Sequence, residues 1–135
     1  TNYVYQGIKG NYSETDPVLP INNYAISKFG GECSVQMYKN SLILRICMTE
    51  KPFIHKKAFS DVEMNFIFHE SLAKNLLSLI DKKGIMNVGG NKQTVLNFAK
   101  KYNKKIHKIS AKKKFGKNYP LKQSMKLDLY KKAIK

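Results

Sequence analysis

Short apolar runs alternate with polar, turn-rich segments along the chain, and their periodicities predict the order of elements. Tyr3, Val4 and Tyr5 are β-favouring types and predict strand character over residues 1–7. Residues 8–20 are rich in Gly, Asn, Ser, Asp and Pro and read as a loop. Asn22 and Asn23 are both good N-cap types, so a helix is expected to begin there. Ile26, Phe29, Cys33 and Met37, near helical spacing, carry it to about Tyr38. Gly30 and Gly31 weaken that helix by roughly 1 kcal/mol each, which predicts close packing against a neighbour. Residues 41–48, SLILRICM, form an apolar run of the length expected for a buried parallel strand. Strand, helix and strand in that order predict a crossover unit of an α/β sheet.

Residues 49–62 read as irregular and basic, with Pro52 as a breaker. Phe66 to Phe68 predicts a short strand. A helix follows from His69 or Ser71 to Asp81, with Leu72, Ala73, Leu76, Leu77 and Ile80 as its core face and Gly84 as its stop. Ile85 to Val88 predicts a strand closed by Gly89-Gly90. Gln93 to Tyr102 predicts a helix with Val95, Leu96, Phe98 and Ala99 inward, and Ile106 to Ile109 suits a strand. The lysine-rich stretch 111–135 is only weakly periodic. There is no internal repeat.

Composition narrows the class. At 42% hydrophobic and 25% charged, the 135 residues can fold around a modest core. No apolar run approaches the ~20 residues of a membrane span. The start, TNYVYQG, shows no signal-peptide pattern and no initiator Met, so the sequence reads as processed, engineered or a fragment. Cys33 and Cys47 form no CxxC pair, sit in apolar contexts, and predict two buried thiols in a reducing cytoplasm.

The net charge of +16 raises the question of nucleic acid. Arg45 is the sole arginine, whereas proteins that grip phosphates or read bases favour Arg for bidentate contacts. The lysines are therefore read as solvated faces that also attract an anionic nucleotide-sugar and cofactor, and no nucleic-acid partner is expected. His55, His69 and His107 lack companions at ligand spacing, so no metal site is expected. His69-Glu70 reads as a helix start with a carboxylate at the positive helix end.

One spacing carries chemistry. Tyr24 and Lys28 are four residues apart on the predicted helix and share a face. A phenol of free pKa ~10 is a poor acid at neutral pH, and a nearby ammonium favours its ionised form. Such a Tyr can donate a proton to a carbonyl oxygen as hydride reaches the carbon. YxxxK alone is a weak signal, because a solvated Tyr beside a solvated Lys gives the same text.

Several segments agree with it in order. Thr1-Asn2-Tyr3-Val4-Tyr5-Gln6-Gly7 is followed by Tyr12-Ser13-Glu14-Thr15-Asp16-Pro17, then by Pro20-Ile21-Asn22-Asn23-Tyr24-Ala25-Ile26-Ser27-Lys28-Phe29-Gly30-Gly31-Glu32. Leu44-Arg45, Gly84-Ile85-Met86-Asn87-Val88-Gly89-Gly90 and Met125-Lys126-Leu127-Asp128 continue the match. The chain thus resembles the dTDP-4-dehydrorhamnose reductase branch of the extended short-chain dehydrogenase/reductases, over nearly all of its length.

The resemblance implies an α/β fold: the C-terminal part of a Rossmann-type parallel sheet with a small α/β substrate domain. Residues 1–49 would be the remainder of the Rossmann domain with the Tyr/Lys helix, and residues 50–135 the sugar-nucleotide part. It implies Tyr24 as catalytic acid/base, Lys28 as the group that tunes it and holds the nicotinamide ribose, and Thr1 as the hydroxyl that bonds the substrate carbonyl. Tyr3, Val4 and Asn22 would line the substrate site, with Asn22 equally readable as a helix cap. The implied activity is NADPH- or NADH-dependent reduction of a nucleotide-linked 4-keto-6-deoxy sugar. Epimerase or dehydratase chemistry and a non-catalytic binding subunit are the alternatives, and a homodimer is left open.

Departures from the family pattern are Asn2 in place of Asp, Ile46-Cys47-Met48-Thr49 after Arg45, and a short stretch over residues 51–59. The Gly-rich turn that holds a dinucleotide pyrophosphate at a helix N-terminus is missing: GIKG at residues 7–10 runs into a loop, and Gly89-Gly90 lacks the rest of the pattern. Without it, this stretch alone is expected to be inactive.

Overall fold

The longest predicted helix and the SLILRICM strand form as expected, and the rest of the chain is organised around them. The computed structural model describes all residues, 1–135. Helix α1 spans Asn23–Gln36 and strand β1 spans Leu42–Ile46. β1 pairs in parallel with β6, Gly84–Val88, in register from Leu42 opposite Gly84 to Ile46 opposite Val88. The intervening chain crosses over through β2 (Met48–Thr49), β3 (Lys57–Phe59), β4 (Glu63–Met64), β5 (Ile67–Phe68) and α2 (His69–Leu76). After β6 come β7 (Gln93–Thr94), α3 (Val95–Lys100), β8 (His107–Ile109), α4 (Ala111–Phe115) and α5 (Asp128–Ala133). β2 pairs in parallel with β5, β3 in parallel with β8, and β4 antiparallel with β7. The architecture is α/β with mostly parallel strand pairs.

Cys47 is where the main ladder changes partner. Its N–H donates to Val88 O at 3.1 Å, and its carbonyl accepts from Ile67 N at 2.9 Å. The hydrogen bonding therefore passes from the β1–β6 pair to the β2–β5 pair without a gap. Gly89 and Gly90 make the junction possible. A Cβ on Gly89 would meet Asn65 O at 2.4 Å, and one on Gly90 would meet Phe66 O at 2.2 Å.

The main apolar core draws on Val4, Tyr5 and Tyr12 from the first segment, on Cys47, and on Phe53, Val62, Met64, Phe68, Leu96, Phe98 and Ile106 from the later one. A smaller cluster of Leu72, Leu79, Met86, Val88 and Tyr130 packs α2 and α5 against β6. Residues on either side of position 49 thus share one core.

The structure differs from the sequence expectations at several points. Residues 2–4 form a 3-10 turn, Asn2–Val4, capped by Thr1, rather than a strand. Tyr5 follows in extended conformation but pairs through its side chain instead of a ladder. Of the expected apolar positions of α1, Phe29 packs partly buried on the main core, Ile26, Cys33 and the following Met37 are exposed, and the residues the helix buries fully are Ala25 and Glu32. Gly30 and Gly31 face open space, so no close neighbour explains them. Cys33 is exposed and only Cys47 is buried; burial pushes its thiol up to about 12. The second long helix ends early: after Leu76 the chain tightens into a 3-10 turn, Leu77–Leu79, which turns Leu79 inward and leaves Leu77 and Ile80 exposed. The lysine-rich stretch contains α4 and α5, fixed by contacts that its periodicity does not reveal.

Candidate active site

Helix α1 starts beside the cleft because Asn22 caps it: Asn22 Oδ1 accepts from Ala25 N at 2.8 Å. Tyr24 and Lys28 follow within the first turns. Lys28 Nζ lies 5.7 Å from the centre of the Tyr24 ring. Tyr3 packs edge-on to that ring, with centres 6.0 Å apart at 84°. Thr1 Oγ1 accepts from Tyr3 N at 3.3 Å and caps the 3-10 turn that presents Tyr3. Desolvation is the main effect that pushes the Tyr3 hydroxyl up to about 12, with smaller contributions from Tyr119, Cys47 and Tyr24.

These groups share a cavity of about 360 Å³ lined by Thr1, Asn2, Tyr3, Tyr24, Lys28, Met64, Phe66 and His69, among others. It opens into a larger cavity of about 670 Å³, with Tyr3, Met48, Met64, Phe66 and His69 lining both. The larger one presents Lys56, Lys57 and Lys114 against a single carboxylate, Glu50, together with Phe53, Phe59 and Tyr119. The pair forms a trough that is aromatic along its walls and cationic at its far end. Such a trough suits an elongated ligand with an anionic portion.

Of the residues expected at the site, Thr1, Tyr3, Tyr24 and Lys28 come together. Val4 is 1% exposed in the core, where its carbonyl accepts from Leu19 N at 2.8 Å, and it lies outside both cavity linings. Asn22 serves α1 as its cap. His69, Asn2, Gln123 and the three lysines were not expected there. His69 was visible in the sequence only as a helix start, and the lysines only as net charge.

Beneath the cleft lies a buried polar knot that fixes α1 against the sheet. Glu32 of α1 pairs with Arg45 of β1. Arg45 Nη1 donates to Tyr5 Oη at 2.7 Å, and Tyr5 Oη donates to Asn87 Oδ1 at 2.9 Å. Asn87 Nδ2 donates to Tyr12 O at 2.9 Å, and Asn87 N donates to Glu14 Oε1 at 3.0 Å. Burial pulls the Arg45 guanidinium down, but its bonds to Glu32 and Tyr5 outweigh that and leave it above its ordinary value. The knot joins the first segment, α1, β1 and β6. It thereby sets where Thr1 and Tyr3 stand relative to Tyr24.

Solved structures of similar fold include dTDP-4-dehydrorhamnose reductases and a dTDP-glucose 4,6-dehydratase. A hypothetical dTDP-4-dehydrorhamnose reductase from Sulfolobus tokodaii superposes with a TM-score of 0.80 at 26% identity, covering 97% of this chain and 55% of its own. The fold is that of the short-chain dehydrogenase/reductases. A dTDP-4-dehydrorhamnose reductase from Bacillus anthracis, solved in complex with NADP, gives 0.77 at 19% identity over 96% of this chain and 55% of its own. A dTDP-glucose 4,6-dehydratase from Streptomyces venezuelae, solved with NAD bound, gives 0.71 at 16% over 99% and 52%. The chain thus spans about half the length of these short-chain dehydrogenase/reductases. No family model and no curated protein matches the sequence. No helix is long and apolar enough to cross a membrane.

In that fold the two glycine-containing turns can be tested as phosphate cradles. Gly7 and Gly10 have φ of +79° and +71°, but a Cβ on Gly7 would strike Pro120 Cβ at 2.5 Å, and one on Gly10 would meet Ser124 Oγ at 3.1 Å. Gly89 and Gly90 press on the backbone of Asn65 and Phe66. Both turns are occupied by the chain itself. Neither turn leaves a glycine face free to cradle a pyrophosphate.

Proposed function

We propose that the chain carries the substrate side and the proton donor of an NADPH- or NADH-dependent reductase acting on a nucleotide-linked 4-keto-6-deoxy sugar. The observation that carries this reading is the shared cavity: Thr1, Tyr24 and Lys28 line one end of a trough whose other end is lined by Lys56, Lys57 and Lys114. A nicotinamide, where bound, supplies the hydride. The chain's own residues do the rest. Thr1 Oγ1 and Tyr24 Oη hold the keto oxygen, and Tyr24 gives it the proton as the carbon is reduced. Lys28 orients the ribose and keeps positive charge beside the phenol. The lysine end neutralises the diphosphate, and Phe59 and Tyr119 offer faces for the base. Residues 1–49 act as the catalytic-helix unit and residues 50–135 as the sugar-nucleotide unit, held by one core.

Calorimetric titration with dTDP-4-keto-6-deoxyglucose at physiological salt tests the reading. The chain is expected to bind it, and replacement of Lys56, Lys57 and Lys114 together by Ala is expected to weaken binding at least about tenfold through loss of charge-assisted contacts. Tyr24→Phe is expected to leave binding intact and, where the chain is joined to a nicotinamide-binding half, to lower turnover ~10²–10⁴-fold. Equal affinity in the triple variant, or turnover of Tyr24→Phe within a few-fold of the parent, would overturn it.

A further inference from the structure

The open space does not stop at the lysine end of the trough. Ile109 and Lys114 line the large cavity and also a further one of about 520 Å³, whose other walls are Ser60, Lys108, Ser110 and Lys113. Half of its lining residues are lysines and none is a carboxylate. Local structure gathers them. Parallel pairing sets Lys108 of β8 opposite Ala58 of β3. Ser60, just past β3, donates to Ile109 O from its N–H at 2.9 Å and from its Oγ at 3.2 Å. Asp61 then accepts from Ser110 Oγ at 2.6 Å, Ala111 N at 2.8 Å and Lys112 N at 3.1 Å, which fastens the start of α4 to this corner. Lys113 and Lys114 thereby come to the same cavity as Lys108. The Asp61 carboxylate is spent on α4 and does not line that cavity. The ion pairs of the chain are Lys9–Asp16, Glu32–Arg45 and Glu63–Lys122, so Lys56, Lys57, Lys108, Lys113 and Lys114 have no carboxylate partner. Like charges gathered around one space repel, and an anion placed among them relieves that repulsion. The diphosphate of a nucleotide-linked sugar, together with Glu50, leaves part of this lysine charge unanswered.

We propose that the cavity at Ser60, Lys108 and Lys113 is a subsite for a phosphate monoester or phosphate ion, separate from the diphosphate position at Lys56 and Lys57 and bridged to it by Lys114. For what fills the trough itself, the inference rests on the nucleotide-linked sugar reading above. Phosphate fits the chemistry of the walls. A monoester brings about −1.5 to −2 of charge and three acceptor oxygens, and ammonium groups offer donors and no acceptor. The hydroxyl hydrogens of Ser60 and Ser110 are already given to Ile109 O and Asp61 Oδ2, so the lysines are the donors. Their flexible stems let three ammonium groups close on one anion, with water completing the shell. Two sources share this chemistry. One is a phosphate carried on the far side of the nucleoside in the trough. The other is a free phosphate ion bound beside it.

Calorimetry at physiological salt compares thymidine 5′-phosphate with thymidine 3′,5′-bisphosphate, and a second titration adds inorganic phosphate to the chain saturated with thymidine diphosphate. Bisphosphate bound about tenfold more tightly than the monophosphate assigns the subsite to the ligand's own phosphate. Inorganic phosphate bound at millimolar concentration or below assigns it to the free ion. One of these signals is expected. It should vanish in Lys108→Ala/Lys113→Ala, with the affinity for the 5′-phosphate unchanged. It should survive in Lys82→Ala/Lys83→Ala, which removes the same charge from the turn before β6. All four lysines are exposed, so neither variant removes a core contact. Absence of both signals, or equal loss in the two double variants, overturns this inference alone. Failure of thymidine 5′-phosphate and diphosphate to bind overturns the nucleotide reading of the trough, and inorganic phosphate by itself then decides the subsite.

Discussion

Arg45→Met is expected to be among the most damaging single changes in the chain. The Arg45 side chain is 4% exposed and that of Glu32 5%, so the variant leaves a carboxylate sealed from water with its cation gone. Arg45 Nε, which lies 3.2 Å from both Glu32 oxygens, is lost together with Nη1, the donor to Tyr5 Oη. Breaking a buried pair from one side costs about 3–5 kcal/mol, against a total of about 5–15 kcal/mol for a domain. With an unfolding entropy near 2.1 cal/mol/K per residue, a chain of this length loses roughly 0.3 kcal/mol per kelvin, so Tm should fall by about 10–17 °C. Removing both charges in Glu32→Met/Arg45→Met leaves no orphan and should restore most of the loss. Urea titrations by circular dichroism, with calorimetry for Tm, read both effects. A single variant within about 1 kcal/mol of the parent, or a double variant no more stable than the single, would refute the account of the knot.

Three further outcomes are expected. NADPH should bind these 135 residues weakly or not at all in calorimetry, because both glycine turns are filled by the chain's own atoms; tight stoichiometric binding would contradict this. Burial pulls the Asp61 carboxyl up, but bonds from Ser110 Oγ, Ala111 N and Lys112 N win and hold it below its ordinary value. Asp61→Ala should therefore cost about 1 kcal/mol as a lost cap of α4, with the difference from the parent vanishing as pH falls through that depressed value; calorimetry at pH 7 and pH 3 checks it. Finally, anisotropy titrations should show nucleic-acid binding that falls steeply with salt and ignores sequence, since the +16 charge comes almost entirely from lysine.

The sequence reveals the elements that rest on local chemistry and hides those that rest on distant partners. Asn22 announces α1 because a cap is a local bond, and β1 and β6 are legible as short, mostly apolar runs that pair in parallel. Tyr24 and Lys28 are legible because four-residue spacing on a helix is fixed geometry. The strand expected at Tyr3 gives way to a 3-10 turn capped by the Thr1 side chain, so β propensity alone does not decide this backbone. The face expected on α1 holds only at Phe29, and the Glu32–Arg45 pair that also fixes the helix is one no apolar periodicity reports. The cationic end of the trough brings Lys114 to Lys56 and Lys57 from more than fifty positions away, so the sequence shows them only as charge.

The first segment is closed by the last. Lys122 N donates to Gly7 O at 2.8 Å, Tyr12 N donates to Ser124 O at 3.0 Å, and Lys126 N donates to Tyr12 O at 2.8 Å. During synthesis, therefore, Thr1 and Tyr3 leave the ribosome ahead of residues 122–126 and cannot be fixed opposite Tyr24 until these have followed. Closing so long a loop is slow compared with forming α1. An intermediate with the Tyr24 helix formed and the cleft still open should accumulate during refolding. A cut or a disruptive change near residue 124 should disable chemistry at residues 1–3 while sparing the helix between them.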